Sequence, residues 1–435
     1  MTETPQSVYK TPAYHRSRMA YRLECTFEYF VALLVSSAFL ATLLKHLGMD
    51  DAQVGILSSV ISLAFLFQLF SVFVVQHITN TKLFAILFHS IGQLFFMGLY
   101  LIPFMPFATE VRHVLAIVFL LLAYFGNYFV TSMIYKWGNS FVDPHKRGSF
   151  GAGKEMLSLI TGVVVTLIVG AVMDAYKANN DLEGGFLFSA IAILIFCICD
   201  FVCLLLIKNE QKPKPEVRER VTLREVMKNT LGKKRFRRVV LLTVVYDIAR
   251  YSITGFLGTY MTNSWELGFS LGAVSAITMA GTMTRFFLSK PFGRYSDRRT
   301  YAKGLELGLT MMSIAFLACI FTAPSARYLI VVYMILYHGA MAGTSSNMLN
   351  LVYSYVDEKY FVQASAIKNS IGGLCGFLAS ILAGRLLAAV QESGNRVLGI
   401  PMYGQQLLAL IAFALSLSAV LYTRFVIEKQ KVMLQ

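Results

Sequence analysis

Charge is scarce in this 435-residue chain. Asp, Glu, Lys and Arg make up 14% of it, against roughly 25% in a soluble globular domain. A water-soluble enzyme is disfavoured on that ground alone. Acidic residues are the rarer sign, 24 against 39 Lys and Arg, which leaves a formal net charge of +15. Cysteine is sparse too. Cys25, Cys197, Cys199, Cys203, Cys319 and Cys375 lie mostly inside apolar runs without paired spacing, which excludes a disulfide framework. The chain has no Gly-x-x-x-x-Gly-Lys-Ser/Thr loop for ATP, no His-Glu-x-x-His zinc pair and no Gly-x-Ser-x-Gly elbow. No lipidation signal is seen at either end.

Apolar residues are what the chain has in plenty, 56% of the total, so neither disorder nor a collagen-like repeat fits. A bilayer core of about 30 Å takes about 20 apolar residues in helical form. Twelve runs meet that length: 27–47, 53–76, 83–104, 113–135, 154–174, 186–207, 239–261, 269–290, 304–323, 328–350, 364–390 and 404–427. None alternates with the period of a membrane strand, and helices satisfy their own backbone in lipid. The expected fold class is all-α, a polytopic membrane protein of twelve transmembrane helices. A polar stretch precedes the first run, which is also too long for a cleavable signal.

Basic residues set the orientation. Thirty of the thirty-nine fall in segments on the side of the termini, five on the other side and four within spans. The positive-inside rule then puts both termini in the cytoplasm of a cell-membrane protein. The net charge is accounted for by topology, so no nucleic-acid partner is expected. The expected organisation is a cytoplasmic segment 1–26, a six-helix bundle 27–207, a basic cytoplasmic linker 208–238, a second bundle 239–427 and a tail 428–435. Lys233, Lys234, Arg235, Arg237 and Arg238 in the linker suit anionic headgroups.

The halves carry a repeat. At an offset of 214 residues Val142-Asp143 falls on Val356-Asp357, Lys154 on Lys368, Gly162 on Gly376 and Gly170 on Gly384. Parallel repeats of this kind build secondary transporters. Between spans eight and nine stands Gly293-Arg-Tyr-Ser-Asp297-Arg298-Arg299, and Asp143-Pro144-His-Lys-Arg147-Gly148 leads into span five. In these motifs, the span number and the long central loop, the chain resembles the major facilitator superfamily. It departs from the family between spans two and three, where Gln76-His77-Ile-Thr-Asn-Thr-Lys82 lacks the usual Gly and Asp. The resemblance implies two six-helix bundles related by a pseudo-twofold axis. It also implies a cytoplasmic latch made by Gly293, Asp297, Arg298 and Arg299, with Gly293 allowing a tight turn after Pro291.

Ionisable residues within spans are expensive and need a partner or a wet cavity. Asp247 and Arg250, three apart on one face of span seven and flanked by Tyr246 and Tyr251, are the sharpest case. They are expected to line the substrate path, with Asp247 a candidate proton carrier; the plainer alternative is an ion pair that fixes packing. Tyr124-Tyr128 with Asn127, and Tyr333-Tyr337 with His338, Asn347 and Asn350, give spans four and ten polar-tipped faces. Lys154-Glu155 and Lys368-Asn369 could gate or hold an anionic group, or snorkel to the interface. Glu28 is cavity-facing or interfacial, and Asp200 needs a cationic partner. Cys199 and Cys203 share a face of span six, but small thiols in an apolar helix need no metal, and no metal or cofactor is expected.

The leading expectation is a secondary transporter, not an enzyme, that moves a small polar or amphipathic solute by alternating access. Protons or another ion are the candidate coupling partner, the lipid bilayer is its surroundings and the monomer its expected state. A transport-fold receptor or a membrane enzyme is the alternative, and efflux of amphiphiles competes with uptake of sugars or other nutrients.

Overall fold

Apolar length decides the elements. A computed structural model of the chain describes residues 12–74, 78, 80–142, 147–208, 223–357 and 360–429. The helices are α1 (Pro12–Leu34), α2 (Ser37–His46), α3 (Asp51–Ser58), α4 (Val60–Val74), α5 (Thr81–Leu101), α6 (Thr109–Asn139), α7 (Arg147–Ala178) and α8 (Leu182–Leu206). They continue with α9 (Leu223–Asn229), α10 (Lys234–Tyr251), α11 (Leu257–Thr262), α12 (Leu271–Arg298), α13 (Tyr301–Ile320), α14 (Leu329–Tyr355), α15 (Phe361–Glu392) and α16 (Gly404–Tyr422). Eleven stretches are long and apolar enough to cross a membrane, and twelve if the bent pair α1–α2 counts as one span. The large apolar side chains that stay exposed, such as Phe287, Leu206 and Leu382, are what lipid contact requires.

Several spans depart from uniform rods. The first bends by 45° between α1 and α2, where Ser37 takes a positive φ of 49°. The break frees carbonyls at the end of α1, and Tyr100 of α5 donates its hydroxyl hydrogen to the carbonyl of Leu34. The seventh gives way after Tyr251 to a short 3-10 turn, Thr254–Phe256, before α11. The eighth, α12, runs on through Pro291. Several other ends are capped by side chains. Asp50 accepts from the Gln53 amide at 2.7 Å to start α3, Asp181 from Gly184 at 3.0 Å to start α8, and Thr300 from Lys303 at 3.1 Å to start α13.

The chain divides into two units, Met1–Ser36 with Phe70–Arg220 and Ser37–Leu69 with Val221–Gln435. In the first, α1 packs against α7 and α8, and α5 against α6 and α8. Gly92 and Gly126 let α5 and α6 touch: a Cβ on Gly126 would lie 2.8 Å from the Gly92 Cα. Tyr21, Phe129, Trp137, Phe141 and Phe150 fill the core at one end. Lys82 caps the end of α8 by donating to the Ile207 carbonyl at 2.6 Å.

In the second unit, α14 packs against both α12 and α13, and α10 against α15 and α16. The segments α2 and α3 belong here, against α11 and α15. Their seam depends on glycine. A Cβ on Gly255 would overlap the Gly55 carbonyl and the Ser59 hydroxyl, and one on Gly55 would overlap the Phe256 ring. Beyond α15, a two-strand hairpin pairs Arg396 with Pro401 and Val397 with Ile400. Its tip is Leu398-Gly399, both at positive φ (50° and 81°), with Leu398 98% exposed. That is the two-residue turn that suits the twist of paired strands.

Candidate functional site

The second unit contains a buried polar group built on α10. Asp247 and Arg250 sit one turn apart just before the break in span seven, their charged atoms 3.6 Å from each other. Arg250 donates to the Tyr251 hydroxyl and lies over the Tyr251 ring at 4.3 Å and the Tyr246 ring at 5.5 Å. Lys368 of α15, also buried, is within electrostatic range of both Asp247 and Arg250. Tyr337 of α14 faces Arg250 from the third side and stacks on Tyr333 at 5.4 Å. Two cations and one carboxylate thus share a tyrosine-lined site with little water.

The sequence-expected residues divide on geometry. Asp247, Arg250, Tyr246, Tyr251, Tyr337 and Lys368 come together. His338 stands edge-on to Tyr337 at 5.7 Å, on the side that faces Gly281 of α12. Asn347 donates to the Gly343 carbonyl at 2.7 Å and lies against Gly304 at the start of α13, so it braces helices there. Asn369, half-buried, has no bond with this group among the described residues.

The first unit contains a second polar group, of which the sequence singles out Asp200 but not His89. His89 of α5 lies 3.0 Å from Asp200 of α8, both side chains 1% exposed. This is the cationic partner that Asp200 needs. Buried Glu24 of α1 completes the trio, with ligand atoms of Glu24, His89 and Asp200 all within 4.8 Å of one another. Glu24, Cys25 and Glu28 form an adjoining trio on α1 by the same measure. Lys154 of α7 reaches Cys25 Sγ at 3.1 Å and the Tyr21 hydroxyl at 3.4 Å. Gln93 donates to Asn127 at 2.9 Å and also approaches the His89 ring at 3.4 Å. Tyr124 is packed edge-on against Phe96. Cys199 and Cys203 are free thiols outside any donor set among the described residues. Sequence reasoning does not bring Glu24, His89 and Asp200 together, because they stand on three helices far apart in the chain.

The repeat can be followed in these contacts. Gly162 meets Tyr29 as Gly376 meets Tyr251, and Lys154 meets Cys25 as Lys368 meets Asp247. The partners on α1 and α10 share one offset of 222 residues.

A third polar cluster closes the end of the second unit where spans seven and eight are joined. Asp51 pairs with Lys45 at 2.9 Å and accepts from Asn263 at 3.1 Å and Gln391 at 2.9 Å. Asn263 also donates to Glu266 at 3.0 Å. Burial, with Asp51 close by, pushes the Glu266 carboxyl up to about 8.

The motif between spans eight and nine differs from expectation in its turn. Gly293 and Pro291 both lie inside α12, and nothing lies within 4 Å of a Cβ placed on Gly293. The chain turns at Arg299 and Thr300 instead, since membrane helices tolerate an internal proline. Asp297, Arg298 and Arg299 are exposed and form no ion pair among the described residues. The motifs at Gln76-His77 and at 143–146 lie outside the described residues.

Comparison with known proteins places this geometry. No curated protein matches the chain in sequence. A bacterial homologue of the human lysosomal transporter Spinster, in an inward-facing and unoccupied conformation, is similar over 98% of this chain and 100% of its own. Its TM-score is 0.73 at 14% identity. A single-site mutant of the nucleoside transporter NupG covers 94% of this chain and 99% of its own at 0.71 and 14%. The peptide transporter POT in complex with sulfate covers 94% of each at 0.67 and 11%. These likenesses establish the fold alone. The model of the Major Facilitator Superfamily matches residues 25–380. With its apolar spans and a family match over most of its length, the chain belongs to the major facilitator superfamily and is a multi-pass secondary transporter.

Proposed function

We propose that the solute is a small molecule with an anionic group, held by Arg250 and Lys368 while Tyr246, Tyr251 and Tyr337 cover its less polar part. The observation that supports this is the charge balance of the buried site, where two cations accompany one carboxylate. An unbalanced charge in an apolar bundle is costly, and a bound anion offsets it. Tyrosines supply apolar area with a hydrogen-bonding tip, which suits an amphipathic solute. Binding can shift a carrier between states only by differing between them, and a site beside the break in α10–α11 is well placed to differ.

Asp247 serves in this reading as the proton carrier, released from Arg250 and Lys368 when the anion takes its place. The Lys and Arg distribution supports a cell-membrane protein with both termini in the cytoplasm and bundles bounded at 27–207 and 239–427. We assign it no catalysis and read it as a monomer. The test is a thermal-shift screen of the purified protein with carboxylates, phosphates, sugars and neutral amphiphiles, followed by uptake in proteoliposomes. Stabilisation by anionic compounds should be lost in Arg250→Gln and Lys368→Gln. Stabilisation by neutral compounds alone would refute the assignment.

A further inference from the structure

The trio in the first unit has no role in the solute site. We propose that Glu24, His89 and Asp200 bind a divalent transition-metal ion. Four observations support this, independently of the reading of the second unit.

The first is donor type. Two carboxylates and an imidazole form a mixed oxygen and nitrogen set, which suits manganese, iron(II), cobalt or zinc better than magnesium or calcium. The second is spacing. Two ligands at about 2.1 Å from one metal, at right angles, lie about 3.0 Å apart. His89 Nε2 and Asp200 Oδ2 are 3.0 Å apart, and the Glu24 carboxylate, with all three ligand atoms within 4.8 Å of one another, reaches the same ion by a small side-chain shift.

The third is unmet bonding capacity. Glu24 Oε1 and Asp200 Oδ1 are fully buried without a hydrogen-bond donor among the described residues. Buried carboxylate oxygens are rarely left so, and a cation satisfies several lone pairs at once. The fourth is charge. A metal displaces the His89 proton, and two carboxylates with the imidazole then neutral carry two negative charges, which a divalent ion balances, while Lys154 offsets Glu28 in the adjoining trio. In that trio Cys25 and Glu28 are half-buried beside the deeper site.

The experiment is cobalt titration of the tag-free, detergent-purified full-length protein, read by visible absorption and calorimetry. One cobalt per chain is expected, displaced by zinc and not by magnesium. His89→Gln and Asp200→Asn should each weaken binding at least tenfold, while Arg250→Gln leaves it unchanged. Should the variants fail to fold, X-ray absorption of the cobalt-loaded wild-type protein should show oxygen ligands and one imidazole. Absence of cobalt binding by the wild-type protein would overturn the proposal, as would binding that survives both substitutions. A trio that affects only thermal stability, with no metal bound, is a His–Asp ion pair and refutes it equally. Cobalt binding is measured without any solute, so its failure is separable from failure of the anion reading.

Discussion

Asp247 of α10 lies so close to Gly372 of α15 that a Cβ on the glycine would overlap the carboxylate. The carboxylate that pairs with Arg250 therefore depends on the absence of a side chain on the neighbouring helix. Gly372→Ala should push Asp247 out of place and lower solute uptake at least tenfold. Overpacking of this kind costs about 1–3 kcal/mol. Gly293→Ala, with open space around it, is the control and should leave the melting temperature of the protein unchanged or slightly raised. Uptake and thermal unfolding of the two variants check both statements.

Asp247→Asn removes the charge and keeps the shape. Counterflow exchange of the solute should persist, while accumulation driven by a pH gradient is lost. Gradient-driven accumulation that survives the substitution would assign the proton to another residue.

The cluster at Asp51 and Glu266 predicts a pH dependence with a definite sign. A carboxyl held near 8 when buried and near 4.5 when exposed binds an extra proton in the closed form between those values. Closure is thus strongest below about pH 4.5, weakens as pH rises towards 8 and is flat beyond. The whole effect is about 5 kcal/mol at most, because each tenfold change in proton affinity is worth about 1.4 kcal/mol. Once the intrinsic base-catalysed rise is divided out, the protection of residues 51–58 against hydrogen exchange should fall over that range, and Glu266→Gln should abolish the trend. An unchanged pH profile in that variant would place the titrating group elsewhere.

Gly255 predicts a packing effect at the same end. A Val there collides with the Gly55 backbone, which cannot retreat as a flexible side chain could. Gly255→Val should cost about 1–3 kcal/mol and raise the labelling rate of a cysteine placed at position 56. Equal labelling in the presence and absence of the substitution would mean that the seam is not tight.

Much of this was legible in the sequence because hydrocarbon imposes a length and a penalty on charge. Run length located the spans, and a spacing of three put Asp247 and Arg250 on one face. The repeat singled out Lys154 and Lys368 before their partners were visible. The first span was harder. Polar residues before Phe27 suggested a cytoplasmic segment, yet α1 starts at Pro12 and buries Glu24. Its polar face is turned into protein, and no single-sequence hydropathy reading separates that from water. His89 stayed hidden for a similar reason: a lone histidine in an apolar run has many ordinary explanations, and only the fold brings Asp200 to it. Asn347 was placed on the right helix, but its packing against Gly304 of the neighbouring α13 comes only from the fold.

The hairpin after α15 has one practical outcome. Its tip is held by local backbone geometry and a pair of strands, and Leu398 touches almost nothing. An epitope inserted between Leu398 and Gly399 should therefore leave every span intact. On the proposed orientation, with the termini in the cytoplasm, antibody added to unbroken cells should reach that epitope and miss one fused to the last residue. The opposite staining would invert the whole assigned orientation.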